Sequence, residues 1–268
     1  MKDELKIIGI QAALVWENPA QNIAFFESKI KTLENEVDLI VLPEMFTTGF
    51  TMNPEKIAEE MDGLSVAWMQ RIAKEKQTAI CGSLVIKEPF DSVQGDKFYN
   101  RLVFVHPTGE IETYNKRHSF TLANEDKVYT SGAEKLLIEY RGWKICPLIC
   151  YDLRFPVWAR NTENYDLLIF MANWPIARVK AWDTLLKARA IENMSYVVGV
   201  NRTGTDFNNY EYSGNSLIID YLGEELSNLD KNEVGFISAS LSKEELKQTR
   251  NKLGFLNDRD SFKIENND

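Results

Sequence analysis

Short apolar runs that stop abruptly are the feature that most limits what this chain can become. DLIVL (residues 38–42) and DLLIFM (residues 166–171) are too short for core helices and read as buried strands. Residues 6–15 form another such run, broken by Asn18-Pro19. From Ala20 onward Ile23, Phe26, Ile30 and Leu33 recur three and four apart, the stripe of an amphipathic helix. Strand, helix and strand in quick succession make a βαβ unit.

The alternation continues with a helix over 64–77 and a strand over 78–86. Further helices are predicted near 156–163 and over 178–193, where Trp182, Leu185, Leu186 and Arg189 hold the helical spacing. Further strands are predicted at 195–201, 215–219 and 234–240, and Ser242 is placed to cap a last helix with Glu245 three residues on. Two hairpins interrupt the pattern: 98–105 with 110–114 around Pro107-Thr108-Gly109, and 136–139 with 143–149 around Arg141-Gly142. Residues 87–97 (KEPFDSVQGDK) read as a surface loop. The expectation is an α/β protein of mixed sheets covered by helices, α/β or layered αββα, with residues 1–268 as a single domain.

Composition removes several classes of function. With 31 Lys+Arg against 40 Asp+Glu the net charge is −9, and no basic run is present, so a nucleic-acid partner is not expected. No apolar stretch approaches the ~20 residues that span a bilayer, so no membrane partner is expected either. The opening MKDELKIIGI lacks the pattern of a signal peptide, which leads us to expect a cytoplasmic protein. Cys81, Cys146 and Cys150 form an odd set, better read as free thiols than as a disulfide framework. With His106 and His118 the only imidazoles, a His-rich zinc site and most His-based relays are not expected. Chemistry must lean on Cys, Lys and carboxylates.

Three reactive side chains sit at or just beyond strand ends: Glu44 after DLIVLP, Lys116 after EIETYN, and Cys150 closing WKICPLIC. Ligand groups gather at the carboxyl ends of strands in α/β sheets, so the three are candidates to converge. Each has a plain alternative: a solvated loop Glu, a basic turn, a small buried hydrophobe. Together they make chemical sense. A thiol needs a base or a lowered pKa to attack, a Lys⁺ favours the thiolate and steadies an oxyanion, and a carboxylate carries the proton. Cys146 and Cys81 keep a packing role. A Cys146–Cys150 redox pair is the rival reading, and in an extended run the two would stand about 13 Å apart, too far for a disulfide.

The flanking residues resemble a known family. LPEMFTTGF (42–50), YNKRHSF (114–120) and ICYDLRFP (149–156) are similar, in order and spacing, to the three signature segments of the nitrilase or carbon–nitrogen hydrolase superfamily. MANWP (171–175), KARAIEN (187–193) and YVVGVNRTG (196–204) resemble its later segments. The resemblance implies a four-layered αββα sandwich and a homodimer. It implies Glu44 as general base, Lys116 as oxyanion stabiliser, Cys150 as nucleophile and a second Glu, for which Glu125 matches best and Glu134 competes. It also implies acyl transfer through a thioester, the oxyanion held by Lys116 and the Tyr151 backbone N–H, without metal or organic cofactor. Phe46, Phe120 and Trp174 are candidates to wall a small pocket or to be core aromatics, and Arg178 is a candidate for a substrate carboxylate or a solvent-facing helical Arg. An Asp152–Arg154 ion pair is expected to fix the nucleophile turn. The segments look most like the omega-amidase branch, acting on small 2-oxo acid amides such as 2-oxoglutaramate and 2-oxosuccinamate. Another carbon–nitrogen hydrolase, an N-carbamoyl-amino-acid amidohydrolase or a nitrilase, is the alternative, and a non-catalytic binding protein is the reading from a different class.

Overall fold

The computed structural model describes residues 3–33, 36–89 and 96–265. The predicted surface loop at 87–97 lies partly outside them, at residues 90–95, while its first residues belong to a strand.

In chain order the elements are β1 (Glu4–Gln11), α1 (Pro19–Lys31), β2 (Leu39–Val41), α2 (Pro54–Ile57), α3 (Leu64–Lys76), β3 (Ala79–Glu88), β4 (Lys97–Val105) and β5 (Ile111–Asn115). Then follow β6 (Ile138–Tyr140), β7 (Trp143–Ile149), α4 (Pro156–Ala159), β8 (Leu167–Ala172), α5 (Val179–Asn193), β9 (Tyr196–Asn201), β10 (Thr203–Thr205), β11 (Glu211–Ser213), β12 (Leu217–Ile219), β13 (Glu225–Asn228), β14 (Gly235–Ser242) and α6 (Lys243–Leu253).

Two six-stranded sheets result, in the orders β14-β1-β2-β3-β4-β5 and β13-β12-β9-β8-β7-β6. Each has a parallel core, β1-β2-β3 in one and β7-β8-β9 in the other, with antiparallel strands on either side. Side-chain alternation explains the stacking. On the first sheet Leu5, Ile7, Leu39, Val41, Cys81, Leu102 and Phe104 share one apolar core with Ile145, Leu148 and Ile169 of the second. The alternate residues Ile10, Ile40, Ile80, Val103 and Val105 pack instead on Phe26, Ile30, Met69 and Ile72 of α1 and α3. Trp182 and Leu186 of α5 cover the far face of the second sheet, which is why every residue of β8 is buried. The layering is the expected αββα.

Local signals set the ends. Ser242 accepts from the Glu245 N–H as predicted for the cap of α6. Arg141 and Gly142 both take positive φ (53° and 85°), the turn that a two-residue hairpin requires. The helix predicted over 156–163 stops at Ala159, because Arg160 turns extended and the Asn161 N–H is taken by the Asn193 side chain. The β10–β11 hairpin escaped the sequence reading because each strand has only three residues.

The space beside Gly9 of β1 is filled: an added Cβ would stand 2.6 Å from Val200 Cγ2 on β9 of the facing sheet and 2.8 Å from Ile237 on the neighbouring β14. Overpacking of this kind costs about 1–3 kcal/mol. Gly9→Val is therefore expected to lower the thermal midpoint by several degrees in differential scanning calorimetry, with the far-ultraviolet circular dichroism unchanged.

Candidate active site

Two abrupt turns bring the reactive groups to one end of the sandwich. The chain leaves β2 through Leu42-Pro43 and places Glu44 beside Met45, which takes φ 43°. The Met45 N–H donates to Ser83 Oγ (2.8 Å) on β3, and the Glu44 carbonyl accepts from Asn173 Nδ2 (2.7 Å), just past β8. On the other sheet β7 ends at Ile149 and Cys150 takes φ 44° at the head of a single-turn helix. A non-glycine residue held there costs of order 1 kcal/mol, so something must pin it.

The pin is Asp152. Its Oδ2 accepts from the Ile149 N–H (3.1 Å) and the Tyr114 hydroxyl (2.8 Å), and its Oδ1 from the His118 N–H (3.0 Å) and Nδ1 (2.7 Å). One carboxylate thus bolts the Cys150 turn to the segment that carries Lys116. The expected Asp152–Arg154 ion pair is not formed, because Asp152 is used up by Tyr114, Ile149 and His118. Arg154 instead lies over the Trp174 ring, 5.0 Å from its centroid, and faces the cavity.

Lys116 follows β5, its N–H still donating to the Asn100 carbonyl (3.0 Å). Its ammonium is buried between two carboxylates: Nζ is 3.0 Å from Glu44 Oε1 and 3.0 and 2.9 Å from the two oxygens of Glu125. Asn100 Nδ2 donates to two of these three oxygens, at 2.8 Å to Glu44 Oε1 and 3.3 Å to Glu125 Oε1. The Asn173 N–H takes Glu44 Oε2 (2.8 Å), and the Phe120 N–H takes Glu125 Oε2. Glu44, Glu125 and Lys116 are 0%, 1% and 3% exposed, and two negative charges share one positive charge there. Glu134 is exposed and outside the cluster, so the structure brings Glu125, not Glu134, to Lys116 and Glu44.

The half-buried Cys150 completes the group, within direct reach of the Glu44 carboxylate. Burial pushes its thiol well above the ordinary range and Glu44 adds to this, with Lys116 opposing, so the resting group is a neutral thiol. Burial pulls Lys116 down, but Glu125 and Glu44 outweigh it and hold the ammonium charged. Burial raises Glu125, Lys116 opposes, and Glu44 raises it further. A neutral thiol beside a carboxylate, with a fixed cation adjacent, suits attack coupled to proton transfer. The Tyr151 N–H, in the first turn of the short helix, has no carbonyl partner within that helix and is available as a second oxyanion donor.

Above the group lies a cavity of about 280 Å³. Tyr151, Phe120, Trp174 and Arg178 line it. Phe46 does not: it is fully buried behind the site, packed on Phe26 and Trp68, and Phe50 takes the wall position with its ring under the Lys116 ammonium (5.2 Å). Arg178 lies over Phe120, 5.1 Å from its centroid. Neither Arg154 nor Arg178 pairs with a carboxylate among the described residues. The sequence reading missed Asn100 and Asn173, and also Asp206 and Tyr212, which line the cavity with the Tyr212 hydroxyl donating to Asp206 Oδ2 (2.8 Å). Asn100 had one visible signal, as a polar residue inside the apolar run of β4. Among the described residues no cluster of His, Cys, Asp and Glu suits a metal ion.

The fold and the cysteine–carboxylate–lysine site define an enzyme class that cleaves carbon–nitrogen bonds by acyl transfer. The Carbon-nitrogen hydrolase family profile matches residues 8–251, and the chain belongs to that family. It is 42% identical over 259 residues to the omega-amidase YafV of Yersinia enterocolitica, covering 96% of this chain and 98% of the relative. To a 2-oxoglutaramate amidase of Bacillus subtilis it is 33% identical, over 93% and 95% of the two chains. A CN-hydrolase superfamily crystal structure from Xanthomonas campestris, with an arsenic adduct in its active site, superposes with a TM-score of 0.93 at 38% identity, over 99% of this chain and all of that one.

Removing the single cation tests the charge balance directly. Lys116→Met leaves two buried carboxylates uncompensated, a change expected to cost about 3–5 kcal/mol at neutral pH. Burial raises Glu125 and Lys116 is what opposes it, so without the lysine the ionised form of the buried pair is what destabilises and protonation relieves it. The deficit relative to wild type should shrink as pH falls toward 5 in urea titrations; a deficit constant from pH 8 to 5 contradicts the charge argument.

Proposed function

We propose that the protein is an omega-amidase that hydrolyses the amide of a small 2-oxo acid amide, such as 2-oxoglutaramate or 2-oxosuccinamate, to the 2-oxo acid and ammonia. The observation that carries the reading is a pair of guanidiniums, Arg154 and Arg178, on the cavity wall above Cys150 without a carboxylate partner. Such a site favours an acyl group that carries its own anion. The omega-amidases and 2-oxoglutaramate amidases among the relatives support the same substrate class.

In this reading Glu44 accepts the Cys150 proton as the sulfur attacks the amide carbon. The oxyanion meets Lys116 Nζ and the Tyr151 N–H; one such donor is worth roughly 3 kcal/mol of barrier. Glu44 returns the proton to the nitrogen, the C–N bond breaks, and ammonia leaves a thioester on Cys150. Water then attacks the thioester, Glu44 takes its proton, and the sulfur departs as the acid forms and is reprotonated. Glu125 holds Lys116 in place throughout, and its bond from the Phe120 N–H ties that ring to the cavity wall. The pathway needs neither metal nor organic cofactor.

Self-association into a homodimer is part of the proposal. Val157 on α4 and Ile191 on α5 are 53% and 51% exposed, apolar side chains that a second copy would cover. We place the enzyme in the cytoplasm; no described helix is long and apolar enough to cross a membrane.

Ammonia release from 2-oxoglutaramate without carbon dioxide is the expected activity, and Cys150→Ala should abolish it while the fold persists. Arg154→Gln and Arg178→Gln should each raise KM about tenfold or more, with smaller effects on kcat. Turnover of an N-carbamoyl amino acid or a nitrile, with none of the 2-oxo acid amide, would overturn the substrate assignment. Sedimentation should give a dimer for wild type and a monomer for the Val157→Glu, Ile191→Glu double variant.

A further inference from the structure

Two carboxylates and one ammonium leave this buried cluster a negative charge in surplus when all three groups are ionised. Glu44 and Glu125 are each almost fully buried, and proximity of like charges in such a place ordinarily drives one carboxyl to take up a proton. A protonated Glu44 is useless as a base. Something other than Lys116 must support the second charge.

Asn100 is placed to do so. It sits on β4, is 2% exposed, and its amide Nδ2 carries two hydrogens, one toward Glu44 Oε1 (2.8 Å) and one toward Glu125 Oε1 (3.3 Å). The orientation of the amide follows from its neighbours. Ser83 Oγ accepts from the Met45 N–H (2.8 Å), so its own hydrogen is free to donate to Asn100 Oδ1 (2.9 Å). With the oxygen end occupied, the amino end faces the carboxylates. The chain of bonds starts at the residue after Glu44 and returns to the Glu44 side chain, so the backbone turn and the carboxylate it presents are locked together.

We propose that Asn100 is a positioning residue that keeps Glu44 and Glu125 ionised side by side, donating one hydrogen to each, and that Ser83 fixes its orientation. The charged and titratable groups facing this pair are Lys116 after β5, Cys150 after β7, and Tyr129, whose hydroxyl is buried nearby and neutral, burial holding it above its ordinary range. The backbone N–H groups of Asn173 and Phe120 hold the outer oxygens. Among the side chains on these two carboxylates Asn100 is the neutral donor common to both. The inference rests on Glu44 acting as base in the reaction proposed above.

The test is the acid limb of two pH profiles, kcat/KM for 2-oxoglutaramate and the rate of Cys150 alkylation by iodoacetamide, which needs no substrate. Wild type is compared with Asn100→Leu, Asn100→Asp and Ser83→Ala. Asn100→Leu should move both limbs to higher pH by about one unit, a tenfold loss at a fixed acidic pH, with KM little changed. Asn100→Asp should move them further in the same direction, because it adds a third carboxylate. Ser83→Ala should give a smaller upward shift and carries the test if neither Asn100 variant folds. Limbs that stay at the wild-type pH, with activity lowered evenly or not at all, overturn the inference. A shifted alkylation limb without amide turnover leaves the inference standing and overturns the substrate reading instead.

Discussion

One buried ammonium between two buried carboxylates is the interaction on which the rest of this structure depends. A lone ion in such a place costs several kcal/mol, so Lys116, Glu44 and Glu125 persist only as a set, with each carboxylate oxygen accepting at least one hydrogen bond. The donors come from far apart in the chain: Asn100 on β4, the Asn173 N–H past β8, the Phe120 N–H after Lys116. Satisfying three charges therefore obliges both sheets to present their ends in fixed register. The αββα sandwich supplies that register through the shared core of its two inner faces.

The same constraint shapes the cysteine. Held at positive φ and half-buried, Cys150 is kept as a neutral thiol by burial and by Glu44, and its turn is fastened to the Lys116 segment through Asp152. Cys150, Glu44 and Lys116 are thus joined by hydrogen bonds that do not involve substrate. Preorganisation of this kind lets charge that develops at a carbonyl oxygen meet donors already in place. The two guanidiniums stacked on Trp174 and Phe120 stand apart from that cluster, on the cavity wall.

Much of this was legible in the residues. The runs DLIVL and DLLIFM announce covered strands because both faces of such strands are apolar, and β2 and β8 lie where those runs stand. Glu44, Lys116 and Cys150 were visible because reactive groups at strand ends break an apolar pattern. Side-chain partnership was harder to read. Sequence proximity pairs Asp152 with Arg154, two residues away; the fold offers it His118 and Tyr114, 34 and 38 residues distant. Phe46 and Phe50 differ by only four positions, yet one packs into the helix-facing core and the other lies under the Lys116 ammonium. Asn100 acquires meaning only when Glu44 and Glu125, 56 and 25 residues away, converge on its amide, which no local pattern encodes.

The central claim is that Cys150 carries the acyl group. Mixing enzyme with excess 2-oxoglutaramate, quenching with acid within the first turnovers and measuring the intact mass tests it most directly. The account predicts a mass gain equal to the 2-oxoglutaryl group, lost on alkaline hydroxylamine treatment and located on the peptide containing Cys150. Steady ammonia release with no adduct in single-turnover experiments sampled across the reaction, or an adduct on another residue, would contradict it.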